Sequence, residues 1–309
     1  MPGRVFITGG SGFVGSAVID ELARRGYGVN ALSNRRQISA DGGDVQTIEG
    51  DLFNPAALDQ GMRGCAAALH LVGIIGEKPS EGITFDRIHF HGTKAVVDAA
   101  KRNGLRRYVH MSALGTRADA KSEYHWTKHK AEEYVRSSGL EWTIFRPSMI
   151  HGPRGEFTKM EAGWARKTKP PFLFMPYFGA GLFGAGGAGL LQPVFVNDVA
   201  RAFVDALEKP KTIGEVYPIG GSQRMTWPQM HAIAAEAFAG KRRWVLPIPA
   251  WYAAALTHVV PSALLPFNRD QVVMSQEDNT CDLTKFVEDF GWEPSGFAQS
   301  LATYAKQVR

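Results

Sequence analysis

The sequence predicts an α/β fold: a doubly wound parallel sheet with a smaller C-terminal substrate lobe. Three observations predict it. Short apolar runs alternate with amphipathic helical patterns through the first half of the chain, as parallel strands covered on both faces require. The first run, Val5-Phe6-Ile7, feeds directly into Thr8-Gly9-Gly10-Ser11-Gly12-Phe13-Val14-Gly15, a glycine-rich turn between a strand and a helix. Each crossover between successive apolar runs is long enough for the right-handed connection that parallel strands need.

After the first strand, Ser16 to Arg25 places Val18, Ile19 and Leu22 at helical spacing, and Gly26 ends the helix. Tyr27 to Leu32 reads as strand two and Val45 to Ile48 as strand three. Ala56 to Met62 gives a short helix, Ala66 to Leu71 strand four, Phe85 to Arg102 a long helix, and Tyr108 to Met111 strand five. A helix from about Ser122 to Arg136 and a strand from Trp142 to Arg146 complete the alternation. Residues 1–150 are therefore expected to form a Rossmann-type dinucleotide-binding core. Residues 151–309 are expected to complete it and to form the small substrate lobe. There, Asn197 to Leu207 reads as a helix capped by Asn197 or Asp198, Val216 to Ile219 as a strand, and Thr226 to Phe238 as a helix.

Two apolar stretches need separate treatment. Pro170 to Val196 has no charged residue, and its six glycines from Gly179 to Gly189 make a poor membrane helix. It reads as a mobile loop, with a cap over the active site as its functional version. Pro247 to Phe267 is broken by Pro249, Pro261 and Pro266 and reads as a substrate-side lobe or partner surface rather than a transmembrane segment.

Composition narrows the classes further. The 309 residues carry 35 Lys and Arg against 30 Asp and Glu, with no run of five like charges. That slightly favours anionic small ligands and gives no basic stripe for nucleic acid. Cys65 and Cys281 have no metal-ligand spacing, so neither a disulfide framework nor a metal site is expected. The glycine loop begins at residue 8, leaving no room before it for a secretory leader, and the expected location is cytoplasmic.

The chemistry-bearing residues follow the same order. Gly9 permits a sharp turn, Gly12 lets a pyrophosphate approach the backbone, and Gly15 lets the helix pack closely on the sheet. Thr8, Gly9, Gly12, Phe13, Val14 and Gly15 are therefore the candidate contacts to a dinucleotide. Ser112 lies at the carboxyl end of strand five, where ligands of open α/β sheets collect. Tyr124 and Lys128 stand four apart on one helix face, so the ammonium is expected to lower the phenol's pKa toward acid/base use.

These residues resemble the short-chain dehydrogenase/reductase superfamily, in its extended and atypical, epimerase/dehydratase-like branch, over essentially the whole chain. Supporting matches are Gly50-Asp51-Leu52, Gly92-Thr93, Arg146-Pro147-Ser148 and Val196-Asn197-Asp198-Val199-Ala200. A closer likeness is to the group around the nucleotide-binding accessory subunit of respiratory complex I. It is carried by His110 to Gly115, Leu191 to Val196 and Phe267 to Val272. The resemblance implies that Tyr124 exchanges a proton with the substrate oxygen, that Lys128 also holds the nicotinamide ribose, and that Ser112 orients the substrate. It further implies that Asp51 and Leu52 meet the adenine and that Pro147 and Ser148 lie beside the nicotinamide. Where many extended members carry Asn before Gly92-Thr93, this chain has His89 and His91, and His89 reads as a helix-surface or packed histidine.

Strand two ends in Ser33-Asn34-Arg35-Arg36 rather than in an acidic residue. Arg35 or Arg36 thus favours NADP(H) through charge-assisted bonds to a 2′-phosphate, with Ser33 and Asn34 adding neutral contacts and NAD(H) as the alternative. The expected activity is hydride transfer to or from a carbonyl or secondary alcohol of a partly apolar small-molecule substrate. The alternatives are a nucleotide-sugar epimerase or dehydratase, and a non-catalytic NADP(H)-binding protein of a respiratory or quinone-related complex. Peripheral membrane or respiratory-complex contact stays open as a partner class, and the oligomeric state is not set by the sequence.

Overall fold

Val5, Phe6 and Ile7 are buried because their strand lies inside a seven-stranded parallel sheet, covered on both sides as the alternating pattern requires. The computed structural model describes residues 3–34, 37–260, 265 and 267–308. In chain order its first elements are β1 (Arg4–Thr8), α1 (Phe13–Arg24), β2 (Gly28–Ser33), β3 (Val45–Glu49), α2 (Pro55–Met62) and β4 (Cys65–His70). Next come α3 (Gly92–Arg102), β5 (Arg107–Met111), α4 (Glu123–Arg136), β6 (Glu141–Pro147), β7 (Ile150–His151), α5 (Glu156–Ala165), β8 (Phe174–Gly179) and β9 (Val194–Phe195). The chain continues with α6 (Val196–Glu208), β10 (Glu215–Ile219), α7 (Trp227–Ala239), β11 (Trp244–Pro249), α8 (Ala250–Val259), α9 (Arg269–Ser275), α10 (Thr284–Phe290) and α11 (Phe297–Tyr304).

Two compact units interleave along the sequence. The first comprises Met1–Pro147, Val196–Ile219 and Leu283–Trp292; the second comprises Ser148–Phe195, Gly220–Asp282 and Glu293–Arg309. The sheet of the first unit has the order β10-β6-β5-β4-β1-β2-β3. The order reverses direction at β1 and β4, the topological switch point at which open α/β sheets bind ligands. Phe6, Leu58, Met62, Val96, Tyr108 and Ile144 are among its core residues. Local chemistry sets the helix starts: Asn54 accepts from the Ala57 N–H at 3.1 Å with Pro55 at the first helical position, and Ser122 caps α4 through the His125 N–H at 3.3 Å.

The second unit is built around Met175, Leu191, Met230, Ala234, Phe297 and Leu301. It corrects the reading of Pro170 to Val196 as a loop: β8 pairs in parallel with β11, and β9 with β7. Proline and glycine content hid β8, because its partner lies far away in sequence and supplies the pairing that local propensity does not. Helix α6 also begins at Val196, directly after β9, leaving Asn197 and Asp198 inside its first turn rather than capping it. Among the described residues, no helix is long and apolar enough to cross a membrane.

Candidate active site

The glycine loop is shaped by contacts that only glycine permits. Gly9 has φ +78°, and the Gly12 N–H donates to its carbonyl at 3.0 Å, closing the turn into α1. A Cβ on Gly15 would lie 2.0 Å from the Gly9 carbonyl oxygen, so a side chain there would displace backbone. Helix α1 has no side-chain cap and no acidic residue in its first turn, leaving its N-terminal N–H groups and positive dipole end suited to a phosphate. Phe13 and Val14 open that helix, and Val14 is buried. Thr8, Gly9, Gly12, Phe13, Val14 and Gly15 thus come together at the carboxyl end of β1, a cradle that fits a dinucleotide pyrophosphate.

Thr8 begins a chain of buried hydrogen bonds that the sequence did not reveal. Its Oγ1 lies 2.6 Å from His70 Nδ1, the neighbour in register on β4. His70 Nε2 meets Thr93 Oγ1 at 3.1 Å, and that hydroxyl donates to the His89 carbonyl at 2.6 Å. His89 Nδ1 in turn meets Thr127 Oγ1 at 3.0 Å, whose hydroxyl donates to the carbonyls of Glu123 and Tyr124. Because both threonine protons are spent on carbonyls, His70 donates from Nε2 and His89 from Nδ1, an assignment made from bonding partners. Burial holds both rings neutral, lowering His70 to about 3 and His89 to about 2, with Lys128 acting in the same direction. His89 is therefore packed rather than on the helix surface, and it ties the long helical segment to α4.

On α4, Lys128 is buried and its Nζ donates to the Met111 carbonyl at 3.2 Å while lying 5.6 Å from the centre of the Tyr124 ring. Burial lowers its ammonium to about 8, with Glu132 pulling the other way. Tyr124 is half-buried, with Phe85 and His89 at the edges of its ring at 5.8 and 5.2 Å between centroids. Burial pushes its phenol up. That reverses the direction expected from Lys128 alone: the cation faces the ring, and desolvation of the phenolate outweighs its attraction.

Ser112 is buried; its hydroxyl bonds the Glu132 carboxylate and lies 3.2 Å from Thr116 Oγ1. Glu132 receives two bonds from Arg146, at 2.8 and 2.6 Å, and one from Arg136 at 3.2 Å. Burial raises this carboxyl, but Arg146 together with the bonds from Ser112 and Arg136 outweighs burial and holds it below the usual range. Thr127, Glu132 and Arg146 were missed as site residues. The signal available was their position: Thr127 and Glu132 continue the face of Tyr124 and Lys128 along α4.

The remaining candidates are more dispersed. Asn34 is exposed at the end of β2, and Arg35 and Arg36 lie outside the described residues. Asp51 is exposed and accepts from the Phe53 N–H at 2.8 Å. Leu52 is buried, and a Cβ on Gly92 would lie 2.8 Å from its Cδ1, so Gly92 lets α3 approach it. Pro147 ends β6 and accepts from the Leu114 N–H at 2.9 Å. Ser148 belongs to the second unit, where its hydroxyl donates to the Gln192 carbonyl at 2.5 Å.

Residues 9–169 match the model of a family described as NAD(P)H-binding. The chain is 33% identical over 153 residues to the ceramide reductase of Caulobacter vibrioides, covering 49% of this chain and 47% of that protein. This chain thus spans about half the length of that relative. It is 24% identical over 312 residues to the mitochondrial NADH-ubiquinone oxidoreductase 40 kDa subunit of Neurospora crassa, covering 98% of this chain and 79% of that one. Among solved structures, a UDP-glucose 4-epimerase of Thermotoga maritima with UDP-glucose has the same fold. Its TM-score is 0.74 at 21% identity, covering 98% of this chain and 97% of the epimerase. Sheet order, glycine cradle and a match over more than half the sequence agree: the chain belongs to the NAD(P)H-binding family and has the epimerase/dehydratase-like fold of the short-chain dehydrogenases/reductases.

Proposed function

We propose that the protein is an NADP(H)-dependent oxidoreductase acting on a carbonyl or secondary alcohol of a partly apolar substrate, with Tyr124 as its acid/base. The observation that carries this reading is the buried Lys128 ammonium held against the Tyr124 ring and bonded to the Met111 carbonyl. When bound, the nicotinamide supplies or accepts the hydride. The cradle from Thr8 to Gly15 would hold its pyrophosphate, Asp51 and Leu52 the adenine end, and Lys128, Pro147 and Ser148 the nicotinamide end. With its phenol pushed up by desolvation, Tyr124 stays protonated at neutral pH and is poised to give a proton to a carbonyl oxygen, which favours reduction. Lys128 then stabilises the phenolate left behind, and Ser112 positions this helix through Glu132.

The preference for NADP(H) rests on Asn34, Arg35 and Arg36, which follow β2 where the strand itself ends without an acidic residue. A partly apolar substrate is supported by the relative named for ceramide, a lipid. Two free cysteines suit the reducing cytoplasm.

A second reading is favoured by one observation: the Neurospora crassa protein aligned over 98% of this chain is named as a subunit of a respiratory enzyme. Under it, the chain binds nucleotide to stabilise or assemble a complex. Tyr124→Phe separates the two. The oxidoreductase reading expects NADPH consumption with a carbonyl panel to fall by about a thousandfold while NADPH affinity stays within about twofold. A wild-type protein that turns over no carbonyl, with a Tyr124→Phe variant that still supports complex assembly, would establish the second reading.

A further inference from the structure

The second unit carries an apolar surface that its own core leaves uncovered. Strands β8 and β11 pair in the register Trp244↔Phe174, Leu246↔Pro176 and Ile248↔Phe178. Paired residues of a sheet share a face and neighbours along a strand alternate. These six therefore point one way, and Met175 and Val245 point the other, into the core. Trp244, 73% exposed, and Leu246, 45% exposed, open that face to solvent, while Phe174, Pro176, Phe178 and Ile248 are half-buried and Phe178 packs on Phe267 at 5.0 Å between ring centres. Beyond the far ends of the strands, α8 adds exposed Trp251 and Tyr252. The Trp251 indole N–H donates to the Leu182 carbonyl at 3.1 Å, bringing the loop with exposed Leu182 and Phe183 alongside. Contiguous apolar surface of this kind marks a contact site.

Charge identifies the partner. Arg166-Lys167-Thr168-Lys169 precedes β8 and Lys241-Arg242-Arg243 precedes β11. Because the strands are parallel, both clusters fall at the same end of the apolar face. Arg166 is committed to the carbonyls of Phe238 and Val308, and Arg243 to that of Ala165. Lys167, Lys169, Lys241 and Arg242 remain exposed. Lys167, Arg242 and Arg243 line an open cleft of about 220 Å³ with Leu173 and Trp244. No Asp or Glu occurs in 162–197 or in 237–269, so nothing acidic in these segments offsets the cations.

Aromatic and aliphatic side chains beside a cluster of cations match the two layers of an anionic bilayer surface: acyl chains at the boundary, phosphates above. We propose that this face of the second unit seats the protein peripherally on an anionic phospholipid bilayer. Trp244 and Leu246 enter the boundary between headgroups and acyl chains, and the Lys167/Arg242/Arg243 cleft takes a lipid phosphate. The contact uses no residue of the proposed hydride-transfer site and is independent of that reading.

The test is flotation of the full chain with phosphatidylcholine vesicles and with vesicles containing about one-third phosphatidylglycerol. The expected result is association at least about tenfold tighter with the anionic vesicles, weakening as salt is raised. Lys167→Ala with Arg242→Ala should weaken it by roughly fivefold per cation removed. Trp244→Ser with Leu246→Ser should abolish it, with unchanged nucleotide titrations showing that each variant is folded. No association, or equal association with both vesicle types, overturns the proposal. So does self-association without vesicle binding that disappears in Trp244→Ser/Leu246→Ser, which would assign the face to a second copy of the chain.

Discussion

Two places in the molecule, one in each unit, treat polar and apolar side chains in opposite ways. In the first, polar groups are taken inside: Thr8, His70, Thr93, His89 and Thr127 are all buried and pass hydrogen bonds from the glycine loop to the helix that carries Tyr124. In the second, large apolar groups are left outside: Trp244, Leu246, Trp251 and Phe183 face solvent. A buried polar chain is costly unless every member is satisfied, so it makes sense where atoms must be held in place. An exposed apolar face makes sense where something else is to cover it. The contrast teaches that the first unit should tolerate little change at its site and the second unit much change at its face.

Gly15→Ala should break this contrast most severely on the first side. The added Cβ falls on the Gly9 carbonyl, which is backbone and cannot swing away. The expected cost exceeds about 4 kcal/mol, read as loss of the cooperative melt or of all nucleotide binding. Glu132→Ala comes next, because it leaves Arg146 without its two-bond partner in a partly buried setting. A loss of about 3 kcal/mol in denaturant unfolding is expected.

Lys128→Met sharpens the comparison by having the opposite sign for stability. The folded pKa of about 8 lies below the ordinary value of 10.5. The unfolded chain therefore holds this proton more tightly, and the cost of burying the cation is fully present below pH 8. It is relieved as pH rises from 8 to 10.5, so the contribution of this group to wild-type stability should increase across that window. At neutral pH the Met variant should gain about 1 to 3 kcal/mol while losing turnover, and this contribution to its pH dependence should vanish. A Lys128→Met protein that is both inactive and less stable would contradict the burial argument. The smallest effect is expected on the second side: Trp244→Ser with Leu246→Ser should change unfolding stability by no more than about 0.5 kcal/mol per site.

Legibility followed the range of the physics. The glycine loop could be read because its demand is local: Gly15 must be glycine on account of Gly9, six residues earlier. Tyr124 and Lys128 could be paired because helix geometry fixes their spacing. The Thr8–His70 bond spans 62 positions and the Glu132–Arg146 pair 14, and neither leaves a local pattern. Strand β8 was hidden for a related reason, since its inward Met175 and outward Phe174 and Pro176 are all apolar and show no alternation. The direction of the Tyr124 shift was missed because spacing gives the proximity of Lys128 but neither the depth of burial nor the approach of the ammonium to the ring face.

The central claim is that the loop from Thr8 to Gly15 binds a dinucleotide. The most direct measurement is a fluorescence titration of the purified protein with NADPH and NADH, with any co-purified nucleotide released and identified. Saturable, exchangeable binding with NADPH tighter than NADH is the predicted result. Binding of neither, with no nucleotide released, would contradict the account of the cradle and of the site built around it.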